Sequence, residues 1–92
     1  MSTSISKTVQ ICNRRGLHAR ASAKFVTMAS GLPAQVEVEK DGSKVVGTSI
    51  MGLMMLGAAL GDHITISASG DGAEHAVAAL AELVEARFHE AE

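Results

Sequence analysis

Aromatic side chains are almost missing from this chain, which has two Phe and neither Trp nor Tyr. A core must therefore be assembled from Val, Ile, Leu, Met and Ala, and the 47% hydrophobic content supplies them. The same lack removes the stacking platforms on which single-stranded nucleic acid is held. Basic excess is lacking too. The net charge is −2, so the cationic face that neutralises a phosphate backbone is not there, and nucleic acid is not expected as a partner. Cysteine occurs once, at Cys12, so no internal disulfide can form, which fits a reducing compartment. No Cys–His signature surrounds it, and Cys12 reads as a small strand side chain. Long apolar runs are absent as well. The longest stretch, Ile50 to Leu60, is broken by Gly52 and Gly57 and falls far short of the roughly 20 residues a membrane helix needs. Met1-Ser2-Thr3-Ser4 lacks the basic start and apolar run of a signal peptide. The expectation is a cytoplasmic protein with no membrane partner.

At 92 residues the chain is expected to form one domain over 1–92, with residues 1–4 flexible. A domain of this size buries about 60–65% of the surface its unfolded chain exposes. That is one modest core with little room for an enclosed pocket, so chemistry is expected on the surface.

Periodicity locates the elements. Ile5, Val9 and Ile11 alternate with polar residues as in a strand with one buried face. Asn13-Arg14-Arg15-Gly16 is a loop. Ala19, Ser22, Phe25, Val26 and Ala29 then form a helical stripe, with Gly31 and Pro33 as stop signals. Ala34, Val36 and Val38 alternate as a second strand, Asp41-Gly42 is a hairpin turn, and Lys44-Val45-Val46 is a short third strand. A short helix runs from Ser49 to about Leu56, with Leu53 and Leu56 inward and Ile50, Met51 and Met54 on another side. Ile64, Ile66 and Ala68 form a fourth strand. Asp71, with Glu74 three residues on, reads as the cap of a last helix through Val84. The order is βαββαβα, and helices with single apolar stripes predict an α+β fold with helices on one side of an open, mostly antiparallel sheet.

Gly16-Leu17-His18-Ala19-Arg20 is the segment with chemistry. A helix start has amide donors without intrahelical partners and a partial positive charge. Ser, Thr, Asp or Asn usually caps it, yet here the position falls to His18. A phosphate on that imidazole would face the free amides of the first turn, beginning at Ala19. Arg20 could add charge-assisted hydrogen bonds, and Arg14 and Arg15 put further cations on the approach. The bland alternative is a solvated histidine ahead of a helix. His63, His75 and His89 lack metal-ligand spacing and read as surface residues.

Gly16-Leu17-His18-Ala19-Arg20, followed by Ala23, Phe25 and Val26, resembles the active-site segment of the HPr family. These are the histidine phosphocarriers of the phosphoenolpyruvate-dependent phosphotransferase system. Ser49-Ile50-Met51-Gly52-Leu53, then Leu56-Gly57, resembles the family's second signature, and Ile64 to Ala68 followed by Gly70 resembles its fourth strand. The resemblance implies an open-faced β-sandwich of four antiparallel strands and three helices. It implies a relay rather than an enzyme: His18 takes a phosphoryl group on Nδ1 from enzyme I and hands it to an EIIA domain, with Arg20 contacting the phosphate. It also implies that Ser49 is a regulatory site for an HPr kinase/phosphorylase, and that no cofactor is needed. Ile50, Met51 and Met54 would be an adaptable docking face for a monomer that meets its partners transiently. Two positions depart from the pattern: Ala21 stands where Pro is common, and Arg15 where Asn or a similar residue is. Two other functions would suit such a fold. One is an HPr-like regulatory module acting through Ser49 and protein contacts; the other is a small ferredoxin-like domain that senses a ligand.

Overall fold

A computed structural model describes residues 4–90. Strand β1 spans Ser4–Gln10, helix α1 Ala19–Ser30, β2 Gln35–Lys40, β3 Ser43–Val46, α2 Ile50–Met55, β4 His63–Ser69 and α3 Ala73–Glu85. A single turn, Arg87–His89, follows α3. The expected βαββαβα order is therefore the observed one. Residues 1–3 lie outside the described residues; Ser4 already belongs to β1 and pairs with Ser69.

The four strands form one antiparallel sheet in the order β1-β4-β2-β3. Its register stacks the apolar positions. Val9 lies opposite Ile64, Val38 opposite Ile66 and Val36 opposite Ala68, and all six are buried. Because side chains alternate across a strand, this one register commits the whole apolar set to a single face. The other face is polar, and there Thr8 and Thr65, themselves a cross-strand pair, share a hydrogen bond of 2.9 Å between hydroxyls.

Helices α1 and α3 close the apolar face. Helix α3 packs on β1 and β4 with Ala76, Val77, Leu80 and Val84 buried, while α1 contributes Ala21, Ser22, Phe25 and Ala29. Ala19, placed by periodicity on the α1 stripe, is exposed; Ala21 takes the inward place. Leu53 anchors α2, whose other residues include four exposed apolar side chains. Both Phe residues, Phe25 and Phe88, are fully buried.

The last helix departs from expectation at its start. Gly72, not Asp71, is the N-cap; its φ of 71° is left-handed, and no side chain caps the helix. A residue in that conformation is best a glycine, so the Gly70-Asp71-Gly72 turn sets the entry to α3 and leaves Asp71 exposed.

Candidate functional site

The loop before α1 is shaped by one close approach. Gly16 has a φ of 64°, and a Cβ on it would stand 2.3 Å from the Ala58 carbonyl oxygen. Only a glycine tolerates both. The approach lets the Leu17 amide donate to the same carbonyl at 3.0 Å, tying the loop to the segment after α2. Asn13, fully buried, donates from Nδ2 to the Gly16 carbonyl at 2.8 Å. Buried Ser22 donates from Oγ to the Leu17 carbonyl at 3.2 Å. His18 is thus delivered by a loop pinned on both sides.

His18 is the N-cap of α1, extended at φ −74° and ψ 178°. Its carbonyl accepts the first helical bond from the Ser22 amide at 2.9 Å, but its side chain makes no capping hydrogen bond. The donors of the first turn therefore receive no acceptor from the cap residue, as the sequence suggests. The ring is one-fifth exposed. Arg20 lies on the exposed side of the first turn and makes no salt bridge among the described residues. It borders an open, largely apolar groove with Lys24, Met28, Leu83 and His89.

Sequence reasoning missed one neighbour of the ring. Nε2 of His18 lies 2.5 Å from Oε2 of Glu90, and Oε1 of Glu90 accepts from Nδ2 of Asn13 at 3.1 Å. The two side chains are 72 residues apart in the chain, so no local spacing marks the pair. Burial alone would raise the Glu90 carboxyl, but the hydrogen bonds from His18 and Asn13 and the charges of His18 and Lys24 outweigh it and hold the group below its ordinary value.

Ser49 is the N-cap of α2, and its Oγ accepts from the Gly52 amide at 3.0 Å. Here a serine fills the usual capping role. Around it the surface is apolar: Ile50 and Met54 are exposed, and Met51 and Met55 are 72% and 80% exposed. Met55 belongs to this surface as much as the three residues read from the sequence. Val46 and Leu60 are exposed too. His63, His75 and His89 are all exposed.

The model of the PTS HPr component phosphorylation site matches residues 5–86. The chain belongs to the HPr family. It is a phosphocarrier of the phosphotransferase system, and residues 16–20 lie inside the matched range. The phosphocarrier protein HPr of Neisseria meningitidis is 44% identical over 96% of this chain and 99% of its own. The phosphocarrier protein NPr of Shewanella violacea is 38% identical over 97% of this chain and 98% of its own. The crystal structure of HPr from Thermoanaerobacter tengcongensis superposes with a TM-score of 0.90 at 45% identity, covering 96% of this chain and 99% of that one. The HPr match spans His18, Arg20 and Ser49 and stops short of Glu90. Among the described residues no helix is long and apolar enough to cross a membrane.

Proposed function

We propose that His18 is the phosphoryl acceptor of this phosphocarrier, loaded by enzyme I and discharged to an EIIA domain. One observation carries the reading: a histidine occupies a helix N-cap without capping it. That leaves the first-turn donors for an anion held on the ring. The Nδ1 lone pair attacks phosphorus; the P–N bond to the donor histidine of enzyme I breaks, and that nitrogen recovers its electron pair. The Ala19 and Arg20 amides and the Arg20 guanidinium meet the phosphoryl oxygens. The site is open and lacks a deep anion cage, which suits a group that must leave again. No cofactor takes part, and the protein is a relay rather than an enzyme with a metabolite substrate.

Ile50, Met51 and Met54, joined by Met55, form the docking surface in this reading. Flexible thioethers adapt to more than one partner. A small, transient interface with a monomer is the expected mode. Ser49 supports a second, regulatory role. Its half-buried hydroxyl stands at the edge of that apolar surface, so a phosphate placed there by an HPr kinase/phosphorylase would set a double charge against docking.

The test is phosphoryl transfer from phosphoenolpyruvate through purified enzyme I, read by intact mass. One added phosphate, lost in acid and stable in base, is expected in the wild type and absent from His18→Ala. Persistent labelling of that variant would refute the assignment.

A further inference from the structure

The Glu90 carboxylate engages the ring nitrogen that the transfer step does not use. Its place is built from both ends. On one side, Asn13 is fully buried and donates from a single Nδ2 to the Gly16 carbonyl at 2.8 Å and to Glu90 Oε1 at 3.1 Å. One amide thus fixes the loop that presents His18 and the carboxylate that meets it. On the other side, Arg87, Phe88 and His89 have φ of 58°, 54° and 56°. Left-handed backbone is strained at each residue with a Cβ. The turn persists because Phe88 is fully buried and its carbonyl accepts from Lys24 Nζ at 2.7 Å. Strained backbone that its surroundings over-determine is a feature of functional sites. Here its product is the delivery of one carboxylate, with only a tenth of its side chain exposed, to Nε2 of His18.

We propose that Glu90 is a positioning residue for phosphoryl transfer: it holds the ring proton on Nε2 of His18, so that Nδ1 keeps the lone pair that attacks phosphorus. The inference rests on His18 being the acceptor. An ionised carboxylate can only accept, so its partner nitrogen must carry the proton. The other nitrogen of a neutral imidazole then has the lone pair, which is how a carboxylate selects the tautomer of a working histidine. No proton moves during transfer. The P–N bond to the donor breaks as the P–Nδ1 bond forms, and Nε2–H stays in place. The ring becomes cationic, and the Glu90 carboxylate faces that new charge across the retained hydrogen bond.

The experiment uses the full chain in two forms. Nitrogen-15 shifts of the unphosphorylated His18 ring are read about two pH units above the ordinary histidine value of about 6.5. The wild type is expected in the Nε2–H form, and Glu90→Ala and Glu90→Gln as mixtures of both tautomers. Gln is informative because its NH2 group cannot accept, so it replaces only one of the two carboxylate oxygens that meet His18 and Asn13. In the same variants the maximal rate of transfer from phosphorylated enzyme I should fall by about ten- to a hundredfold, the loss seen when outer partners of ligand histidines are removed, with the KM for enzyme I unchanged. An unaltered tautomer in both variants overturns the proposal. So does transfer as fast as wild type or faster, which would make the carboxylate a cover over the ring. A wild type that takes no phosphate on His18 overturns the acceptor reading itself. Phosphorylated wild type with unaltered variants overturns only the role of Glu90.

Discussion

Helices α1 and α2 begin in opposite ways. At the start of α2, Ser49 turns its hydroxyl back to the Gly52 amide at 3.0 Å. At the start of α1, His18 turns its ring away from the helix to Glu90. The first arrangement spends the cap residue on folding. The second leaves the helix uncapped by its own N-cap residue and commits two other regions, the Asn13–Gly16 loop and the turn after α3, to holding the ring. A helix of twelve residues with a buried stripe of Ala21, Ser22, Phe25 and Ala29 tolerates a missing cap. The six residues of α2 bury only Leu53 and have less packing to spare. The difference teaches that the end without a side-chain cap is the one whose N-cap residue is held by the rest of the fold, and, on the proposed function, that the well-capped end would have stability and regulation share one hydroxyl.

Exchanging the caps breaks the comparison. His18→Ser should abolish phosphate incorporation from enzyme I completely, the largest effect expected here. Its stability should stay within about 1 kcal/mol of wild type, because a serine cap contributes about that much where none existed and offsets the lost contact with Glu90. Urea unfolding checks the second half; retained incorporation would sink the first. Gly16→Ala attacks the presentation of His18 rather than its chemistry. The left-handed φ alone costs about 1–2 kcal/mol, and a Cβ 2.3 Å from the Ala58 carbonyl forces the loop to move as well. A loss of about 2–4 kcal/mol is expected, in the range of other severe local changes, and a midpoint in urea equal to wild type would show that the loop yields freely.

Ser49→Ala sharpens the other side. Removing a serine cap costs about 1 kcal/mol, and here the loss should be read in the urea midpoint while His18 on α1 is left in place. A variant as stable as wild type would mean that the hydroxyl is not needed to start α2.

The two helix starts were unequally legible in the sequence. Ser49 before an apolar run is a local signal, and so is the histidine where a cap belongs. The strands are local too, since alternation marks Val36 with Val38 and Ile64 with Ile66. The β1-β4-β2-β3 order is not local, because it depends on which strands meet across long separations. The Asp71 cap failed for a related reason: the left-handed Gly72 places the helix start one residue later than the side-chain pattern implies. Glu90 was illegible altogether. It follows a turn with no periodicity, and its partners, Asn13 and His18, lie at the far end of the chain. The packing of Phe88, with the hydrogen bonds from Lys24 and Asn13, brings them together.

The smallest effect expected concerns that pair and acid. Glu90 is held below its ordinary carboxyl value of 4.5 even though burial opposes the shift, because His18 and Asn13 donate to it and the charges of His18 and Lys24 lie near. A group whose value is lower in the folded state binds protons more readily when unfolded, so folding is favoured above the unfolded value. Its contribution should be fully present above about pH 4.5 and be lost as the pH falls through the lower folded value. The side chain of Glu90 is not fully enclosed, so solvent moderates the size of the effect. Urea unfolding of wild type and Glu90→Gln between neutral and acid pH isolates it. The gap between the two should narrow as the pH falls below the ordinary carboxyl value. A gap that widens in acid would mean that Glu90 is protonated more readily in the folded chain, and hence that burial, rather than His18 and Asn13, governs the carboxylate.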